Sequence, residues 1–183
     1  MLQTPHNLSD IKINWENHRH LYEEITVPAK TTLLNEGDIS RKAYYIKQGC
    51  IRLWFNNHGK DITFQFFFEN EGVSSFESFR SGQPSLFSME TIEPCTLLMI
   101  TKSNMEEIFA SVPGYKEYVQ EHMFQRVAHY SKLFLSRIKD SPKERYLELL
   151  RTQPHLIQRV PQHYIASYLG ITSVSLSRIR NRI

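Results

Sequence analysis

The chain ends on a segment whose residue types suit contact with a phosphate backbone. Arg178, Arg180 and Arg182 follow a stretch rich in serine and threonine, and no acidic residue lies between Gln162 and Ile183. A guanidinium donates paired hydrogen bonds to phosphate oxygens or to the edge of a guanine, and hydroxyl groups add single bonds. The chemistry that this segment could perform is therefore nucleic-acid binding.

The same segment has the pattern of two short helices that cross at a sharp angle. Ala166 is small where the helices would cross, Gly170 allows the positive φ of the turn, and Thr172 is a suitable N-cap for the second helix. The residues predicted to be buried between the helices and the domain core are Ile165, Leu169, Ile171, Leu176 and Ile179. The pattern predicts a helix-turn-helix whose second helix lies in the major groove of DNA.

Eight side chains of this motif are candidate DNA contacts. Arg178 suits either a bidentate bond to guanine or a phosphate, and Val174 could touch a thymine methyl group. Hydroxyl groups and the other arginines suit phosphates, which position a helix without reading sequence. The full set is Thr172, Ser173, Val174, Ser175, Ser177, Arg178, Arg180 and Arg182.

The charge distribution along the chain agrees with this interpretation. The net charge is +3, but residues 137–183 carry +6 and residues 1–136 carry −3. A basic C-terminal block is typical of a phosphate-binding surface.

Cysteine content and hydropathy exclude several other classes of protein. Cys50 and Cys95 are far apart and form no CxxC motif, which argues against a zinc site, an iron–sulfur cluster or a disulfide scaffold. The sequence shows no signal-peptide pattern and no apolar run long enough to span a bilayer. We therefore expect a cytoplasmic protein with no membrane partner.

The first half of the chain is predicted to be rich in β-structure. Residues 6–24 have apolar and aromatic residues at helical spacing, which predicts a short helical lead-in. From residue 25 to residue 100, short β-branched and aromatic segments alternate with turn sequences every 8–12 or so residues, the pattern of a sandwich or barrel. One of these turns, at residues 56–60, predicts a β-hairpin.

Helical patterns follow from residue 103 onward. Ser103 and Glu106 fit a capping box, and Ser141, Pro142 and Glu144 fit a second helix start. Between these two helix starts, the sequence predicts a long helix that extends to about Ile138 and carries an apolar stripe at helical spacing. This stripe predicts a dimer interface, although packing on the barrel would give the same pattern. Its members are Val119, Met123, Val127, Tyr130, Phe134 and Ile138.

With these parts in view, the chain resembles the Crp/Fnr family of regulators over nearly its whole length. The resemblance rests on Glu36-Gly37-Asp38, Tyr45-Ile46-Lys47-Gln48-Gly49, Ile165-Ala166, Leu169-Gly170-Ile171 and Ser177-Arg178-Ile179. It implies double-stranded DNA, a second copy of the chain, a small-molecule effector and RNA polymerase as partners. It also implies that Ser173, Val174 and Arg178 contact bases, and that the protein is not an enzyme.

The predicted fold class is α+β. A cyclic-nucleotide-binding-like β jelly roll, which is the sensor domain, spans residues 1–112, a long dimerisation helix spans residues 113–139, and a helical helix-turn-helix domain spans residues 140–183. The sequence ends at Ile183, about where the second helix would end, so no C-terminal wing is expected.

The sensor pocket departs from the family's pattern. The family holds the ribose with a Gly-Glu pair and the cyclic phosphate with an Arg-Ser pair, whereas here Ser75 stands at the Glu position and no Arg stands at the phosphate position. A buried phosphodiester would lack its charge-assisted contact. We therefore do not expect cyclic AMP and assign no cofactor. The candidate pocket for an unidentified effector is formed by Ser74, Ser75, Glu77 and Ser85.

Three other interpretations remain open from the sequence. The chain could be a ligand-sensing or interaction module whose vestigial helix-turn-helix does not bind DNA. A cupin-type metalloenzyme would share the jelly roll, but it needs clustered ligands, and the candidates His18, His20 and His58 are scattered. A haem or redox sensor would need single histidine ligands such as His122 or His129.

Overall fold

The computed structural model describes residues 15–182, and these residues form an α+β fold, as the sequence predicts. A 3₁₀ helix at Trp15–Leu21 leads into eight strands, which are rich in the β-branched and aromatic residues that strands favour. The strands are β1 (Tyr22–Val27), β2 (Thr32–Leu34), β3 (Lys42–Gln48), β4 (Ile51–Asn57), β5 (Lys60–Phe67), β6 (Gly72–Val73), β7 (Ser88–Thr91) and β8 (Cys95–Thr101).

The strands form two four-stranded antiparallel sheets, with orders β1-β8-β3-β6 and β2-β7-β4-β5. Their inner faces enclose an apolar core that includes Ile46, Ile51, Phe67 and Leu97, all at most 1% exposed. The hairpin predicted at residues 56–60 joins β4 to β5, and His58 and Gly59 take the positive φ values that such a turn requires. We call this two-sheet unit the barrel.

Seven α-helices accompany the barrel. They are α1 (Phe76–Ser81), α2 (Lys102–Ser111), α3 (Tyr115–Lys139), α4 (Pro142–Thr152), α5 (Pro154–Arg159), α6 (Gln162–Tyr168) and α7 (Ser173–Arg180). Helix α3 is the predicted long helix. Helix α4 begins with the predicted capping box, in which Ser141 and Glu144 each accept a hydrogen bond from the other's backbone amide.

Two predictions about helix boundaries were wrong. The helical lead-in was expected to reach residue 24, but Tyr22 already begins β1, where it pairs with Ile100 of β8. Its first part, residues 6–14, lies outside the described residues. The N-cap of α2 is Thr101 rather than Ser103, because the Thr101 hydroxyl accepts the Asn104 amide hydrogen. Strand β8 runs directly into this helix, which moves the cap two residues earlier.

A second apolar core joins the barrel to α4–α7, which we call the C-terminal helices. It contains Cys50, Phe66 and Phe68 from the barrel together with Leu149, Ile165 and Leu176 from the helices. Both faces of β5 are therefore buried at its end, because one face packs against the other sheet and the opposite face packs against α6. Among residues 15–182, no helix is long and apolar enough to cross a membrane.

Candidate nucleic-acid interface

Helices α6 and α7 form the crossing pair that the sequence predicts. Gly170 has a φ of 69° in the turn between them, a conformation that glycine adopts without steric cost. Ala166 and Leu176 are each 1% exposed where the two helices pack. The Thr172 hydroxyl accepts the Ser175 amide hydrogen at 3.1 Å, which confirms Thr172 as the N-cap of α7.

The candidate DNA contacts lie on the side of α7 that faces solvent. Ser175 is half-buried, with its hydroxyl 3.0 Å from that of Thr172, whereas the seven other candidates are exposed. Leu176 and Ile179 occupy the opposite side, toward the core. Because helical residues three and four apart share a face, α7 presents Ser173, Val174, Ser177, Arg178 and Arg180 on one exposed surface. Val174, with 60% of its surface exposed, is an apolar side chain in the middle of this surface.

A salt-bridge cluster holds the C-terminal helices against the barrel. Arg159 of α5 donates to both carboxylate oxygens of Glu69, at 2.8 and 2.7 Å, and also pairs with Glu93. The Gly49 amide donates to the same Glu69 carboxylate at 2.8 Å. These hydrogen bonds lower the pKa of Glu69 to about 2, and the bonds from the Arg159 guanidinium have the largest effect.

A buried arginine of β4 forms a second junction. Arg52 is 2% exposed and donates to Glu90 at 2.9 Å, Asp61 at 3.2 Å and Thr63 at 3.2 Å. Its guanidinium lies 4.1 Å from the centre of the Tyr164 ring on α6. The barrel thereby presents a cation, neutralised by two carboxylates, to an aromatic face of α6.

Helix α6 also completes the hydrogen bonding of β5. Where the β4–β5 register shifts, the Thr63 amide donates to the Ser167 hydroxyl at 2.9 Å, and that hydroxyl donates to the Asp61 carbonyl at 3.0 Å. Nearby, the Phe66 and Tyr168 rings meet edge to face at 5.4 Å. The barrel and α6 therefore form one packed interface, which we call the barrel–α6 interface: Arg52, Thr63 and Phe66 against Tyr164, Ser167 and Tyr168.

None of the contacts in the salt-bridge cluster or in the barrel–α6 interface was identified from the sequence. Their partners lie far apart along the chain, 90 residues in the case of Glu69 and Arg159, so no local pattern joins them. The one available indication was Arg52 itself, a charged residue inside the apolar run Ile51–Phe55. A charge in such a position requires partners when it is buried.

The four residues of the predicted effector pocket differ in burial. Ser75 and Ser85 are buried, and the Ser85 hydroxyl oxygen lies 2.8 Å from the Ser75 hydroxyl oxygen and 2.7 Å from the Phe87 carbonyl oxygen. Ser74 is half-buried, and Glu77 is exposed on α1. The two buried hydroxyl groups therefore satisfy each other within the barrel.

The predicted dimer stripe on α3 divides between two environments. Val127 and Phe134 are exposed, as is Ile138, whereas Val119, Met123 and Tyr130 are half-buried. Burial raises the pKa of Tyr130. Phe124 and Leu135, which the sequence analysis did not select, are 71% and 56% exposed. The apolar surface left open on α3 consists of Phe124, Val127, Phe134, Leu135 and Ile138, and we call it the α3 apolar face.

Among residues 15–182, no three histidine, cysteine or acidic side chains are grouped in a way that could hold a metal ion. His122 lies against Tyr118, with ring centres 4.0 Å apart, and its Nδ1 is 3.1 Å from the Tyr118 carbonyl oxygen. His129 is half-buried. Its pKa is lowered mainly by desolvation and, to a smaller extent, by nearby cationic side chains.

A known family model matches the barrel. Residues 24–112 match the family model described as the cyclic nucleotide-binding domain. A search of curated proteins gives no significant match.

Several solved structures share the fold over nearly the whole chain. The c-di-GMP-responsive global regulator CLP of Xanthomonas campestris is 16% identical, with a TM-score of 0.75, covering 92% of this chain and 89% of its own. FixK2 of Bradyrhizobium japonicum is 16% identical, with a TM-score of 0.76 and coverage of 88% and 83%. A transcriptional regulator described as belonging to the crp/fnr family, from Eubacterium rectale, is 17% identical, with a TM-score of 0.70 and coverage of 96% and 84%. The fold is thus a barrel like that of the cyclic nucleotide-binding domain, followed by helices, as in these proteins.

Proposed function

We propose that the protein is a dimeric, DNA-binding transcription regulator of the Crp/Fnr type. The observation that carries the proposal is the exposed side of α7, which bears Arg178 and Arg180 and begins at a capped N-terminus. Amide groups at such a terminus and nearby guanidinium groups together favour phosphate oxygens. The solved structures with the same order of elements include described regulators, which supports the assignment.

The barrel–α6 interface is compatible with DNA binding. It uses α6, whereas the candidate contacts of α7 are exposed to solvent or, for Ser175, half-buried at the helix start. The C-terminal helices can therefore stay docked on the barrel while α7 enters a major groove. In this arrangement a conformational change in the barrel would be transmitted to α7 through packed side chains, while the C-terminal helices stay docked on the barrel.

A second copy of the chain would cover the α3 apolar face. Its five large apolar side chains are each more than half exposed, an arrangement that is unfavourable in water unless a partner buries it. Two copies related by a twofold axis would present two α7 helices, and specific binding would use half-sites about 34 Å apart. Such a regulator would act in the cytoplasm, together with RNA polymerase.

DNA binding is tested by fluorescence anisotropy with a labelled mixed-sequence duplex, titrated at several salt concentrations. We expect affinity to fall steeply between about 50 and about 200 mM salt, because phosphate contacts release counterions. Arg178→Ala should weaken binding about tenfold, since one strong contact is worth about 1–3 kcal/mol. Arg151→Ala is the matched control: Arg151 is exposed on α4 and paired with Glu148, and its removal should change affinity less than about twofold.

Two results would overturn the proposal. The first is an absence of binding at low salt, which would favour the sensing module with a vestigial DNA-binding element. The second is an equal loss of affinity in the two arginine variants, since this would point to general charge rather than to α7.

A further inference from the structure

A cavity lies where the barrel, α3 and the C-terminal helices meet. Its volume is about 350 Å³, within the ~300–1,000 Å³ range of small-molecule pockets. Its lining includes Phe64 of β5, Tyr130 and Leu133 of α3, Arg145 and Leu149 of α4, and Tyr168 of α6. The cavity is separate from the predicted effector pocket, because none of Ser74, Ser75, Glu77 or Ser85 lines it.

The polar groups of the cavity favour an anion. Arg145 donates one hydrogen bond from each terminal guanidinium nitrogen, to the Asp140 carbonyl and to the Leu169 carbonyl. Each of these nitrogens carries a second N–H, from which a ligand in the cavity can accept a charge-assisted hydrogen bond. Arg137, which also lines the cavity, donates to the Tyr168 carbonyl. Both guanidinium groups are thus fixed at the C-terminal end of α6.

The other charged group of the lining does not oppose an anion strongly. Glu148 is exposed, and its carboxylate accepts two hydrogen bonds from Arg151, at 3.0 and 2.7 Å. The remaining wall is mostly apolar, with four aromatic rings from Phe64, Tyr130, Phe134 and Tyr168. A ligand that matches this lining has a flat apolar body and one carboxylate.

We propose that this interdomain cavity is an effector site for a small aromatic carboxylate, with the carboxylate accepting from Arg145. A ligand there touches the barrel, α3 and α6 together, so its occupancy favours one position of the C-terminal helices. The proposal rests on the proposed regulatory function only for the claim that occupancy changes DNA affinity.

Isothermal titration calorimetry of the full chain tests ligand binding, with naphthalene-1-acetate as the probe and 2-(1-naphthyl)ethanol as its neutral counterpart. We expect one site per chain and about tenfold tighter binding of the acid, because the carboxylate adds a charge-assisted hydrogen bond. Arg145→Gln should abolish this preference while the alcohol still binds.

A pair of leucine variants tests the location. Leu133→Trp fills the cavity and should weaken binding of the acid about tenfold or more, whereas Leu147→Trp places the same side chain on α4 outside the lining and should change binding less than about twofold. The assignment is overturned if the unmodified protein shows no saturable binding. It is also overturned if Leu133→Trp binds as well as Leu147→Trp, because the probe would then occupy another surface, such as the part of the α3 apolar face around Phe124 and Val127, which do not line the cavity.

Anisotropy with the duplex, with and without naphthalene-1-acetate, separates this proposal from the proposed function. The expected result is a change of about fivefold or more in DNA affinity on saturation with the probe. Probe binding without any DNA binding would overturn the proposed function alone. DNA binding without probe binding would overturn the cavity assignment alone.

Discussion

Individual carboxylates and guanidinium groups at the barrel–helix junction determine how the C-terminal helices are held. Glu69 accepts from Arg159 and from the Gly49 amide, and Gly49 has no room for a side chain, since a Cβ there would lie 2.5 Å from the Cys95 sulfur. The carboxylate is therefore fixed on one side by rigid backbone and on the other by a paired cation. Both partners stabilise its ionised form.

The Glu69 carboxylate makes stability depend on pH in a defined direction. Its pKa is about 2 in the folded chain and ordinarily 4.5, so its contribution is complete above pH 4.5 and is lost as the pH falls through 2. After allowance for solvent screening of a group 31% exposed, we expect a contribution of about 1–2 kcal/mol. Chemical denaturation should show wild type more stable than Glu69→Gln at pH 6, with the gap closing toward pH 2.

Glu23→Gln serves as the control for this measurement. Glu23 is an exposed carboxylate of β1, and its replacement should leave stability unchanged to within about 0.5 kcal/mol at each pH. A pH-independent gap for Glu69→Gln would contradict the assigned role of the ionised Glu69–Arg159 pair.

At the scale of elements, the two faces of α3 have different surroundings. One face packs on the barrel, where Arg126 lies over the Phe67 ring at 4.6 Å and donates to the Gly72 carbonyl. The opposite side carries the α3 apolar face. A helix of 25 residues is about 38 Å long.

The α3 apolar face predicts the oligomeric state. Val127→Glu should shift the protein from dimer to monomer, because a buried charge without a partner is strongly unfavourable at an interface. Light scattering after size-exclusion chromatography measures this at several concentrations. Leu86→Glu, a change at a 75% exposed residue of the barrel, should leave the dimer intact. A monomeric wild-type chain, or a dimer that survives Val127→Glu, would be inconsistent with this interface.

At the scale of the whole molecule, β5 connects the two cores. Phe66 and Phe67 are neighbours in sequence, but Phe66 packs with Tyr168 of α6 and Phe67 packs between the two sheets. Alternation along a strand sends them to opposite faces. One strand thus contributes to the stability of the barrel and to the position of the C-terminal helices.

Truncation of these two rings should have separate effects. Phe66→Ala should increase hydrogen–deuterium exchange in α6 and α7 while the exchange of β3 and β8 changes little, because the barrel–α6 interface loses an aromatic contact. Phe67→Ala should lower the unfolding free energy by about 3–5 kcal/mol and raise exchange through both sheets. If Phe66→Ala left exchange in α6 unchanged, the C-terminal helices would not depend on this interface.

The sequence by itself determined the features that involve neighbouring residues. Thr172 and Ser141 could be recognised as N-caps, and Gly170 as a turn residue, because a cap or a turn is complete within three or four residues. Strand and turn spacing predicted a sandwich or barrel in the same way, and the family resemblance narrowed this class to a jelly roll. The error at Ser103 has a related cause: Thr101 offers the same hydroxyl two residues earlier, and the local pattern does not choose between them.

Only the tertiary structure decided which surfaces meet. The apolar stripe of α3 includes Tyr130, which is half-buried, and Val127, which is exposed. Which members of the stripe are buried depends on where the barrel lies, and the period of a helix does not specify that position. The pairs Arg52–Tyr164 and Glu69–Arg159 join residues about a hundred positions apart, so their contacts follow from the packing of whole elements. The cavity at Arg145 exists for the same reason: its lining residues come from the barrel and from three helices, and they meet only in the folded chain.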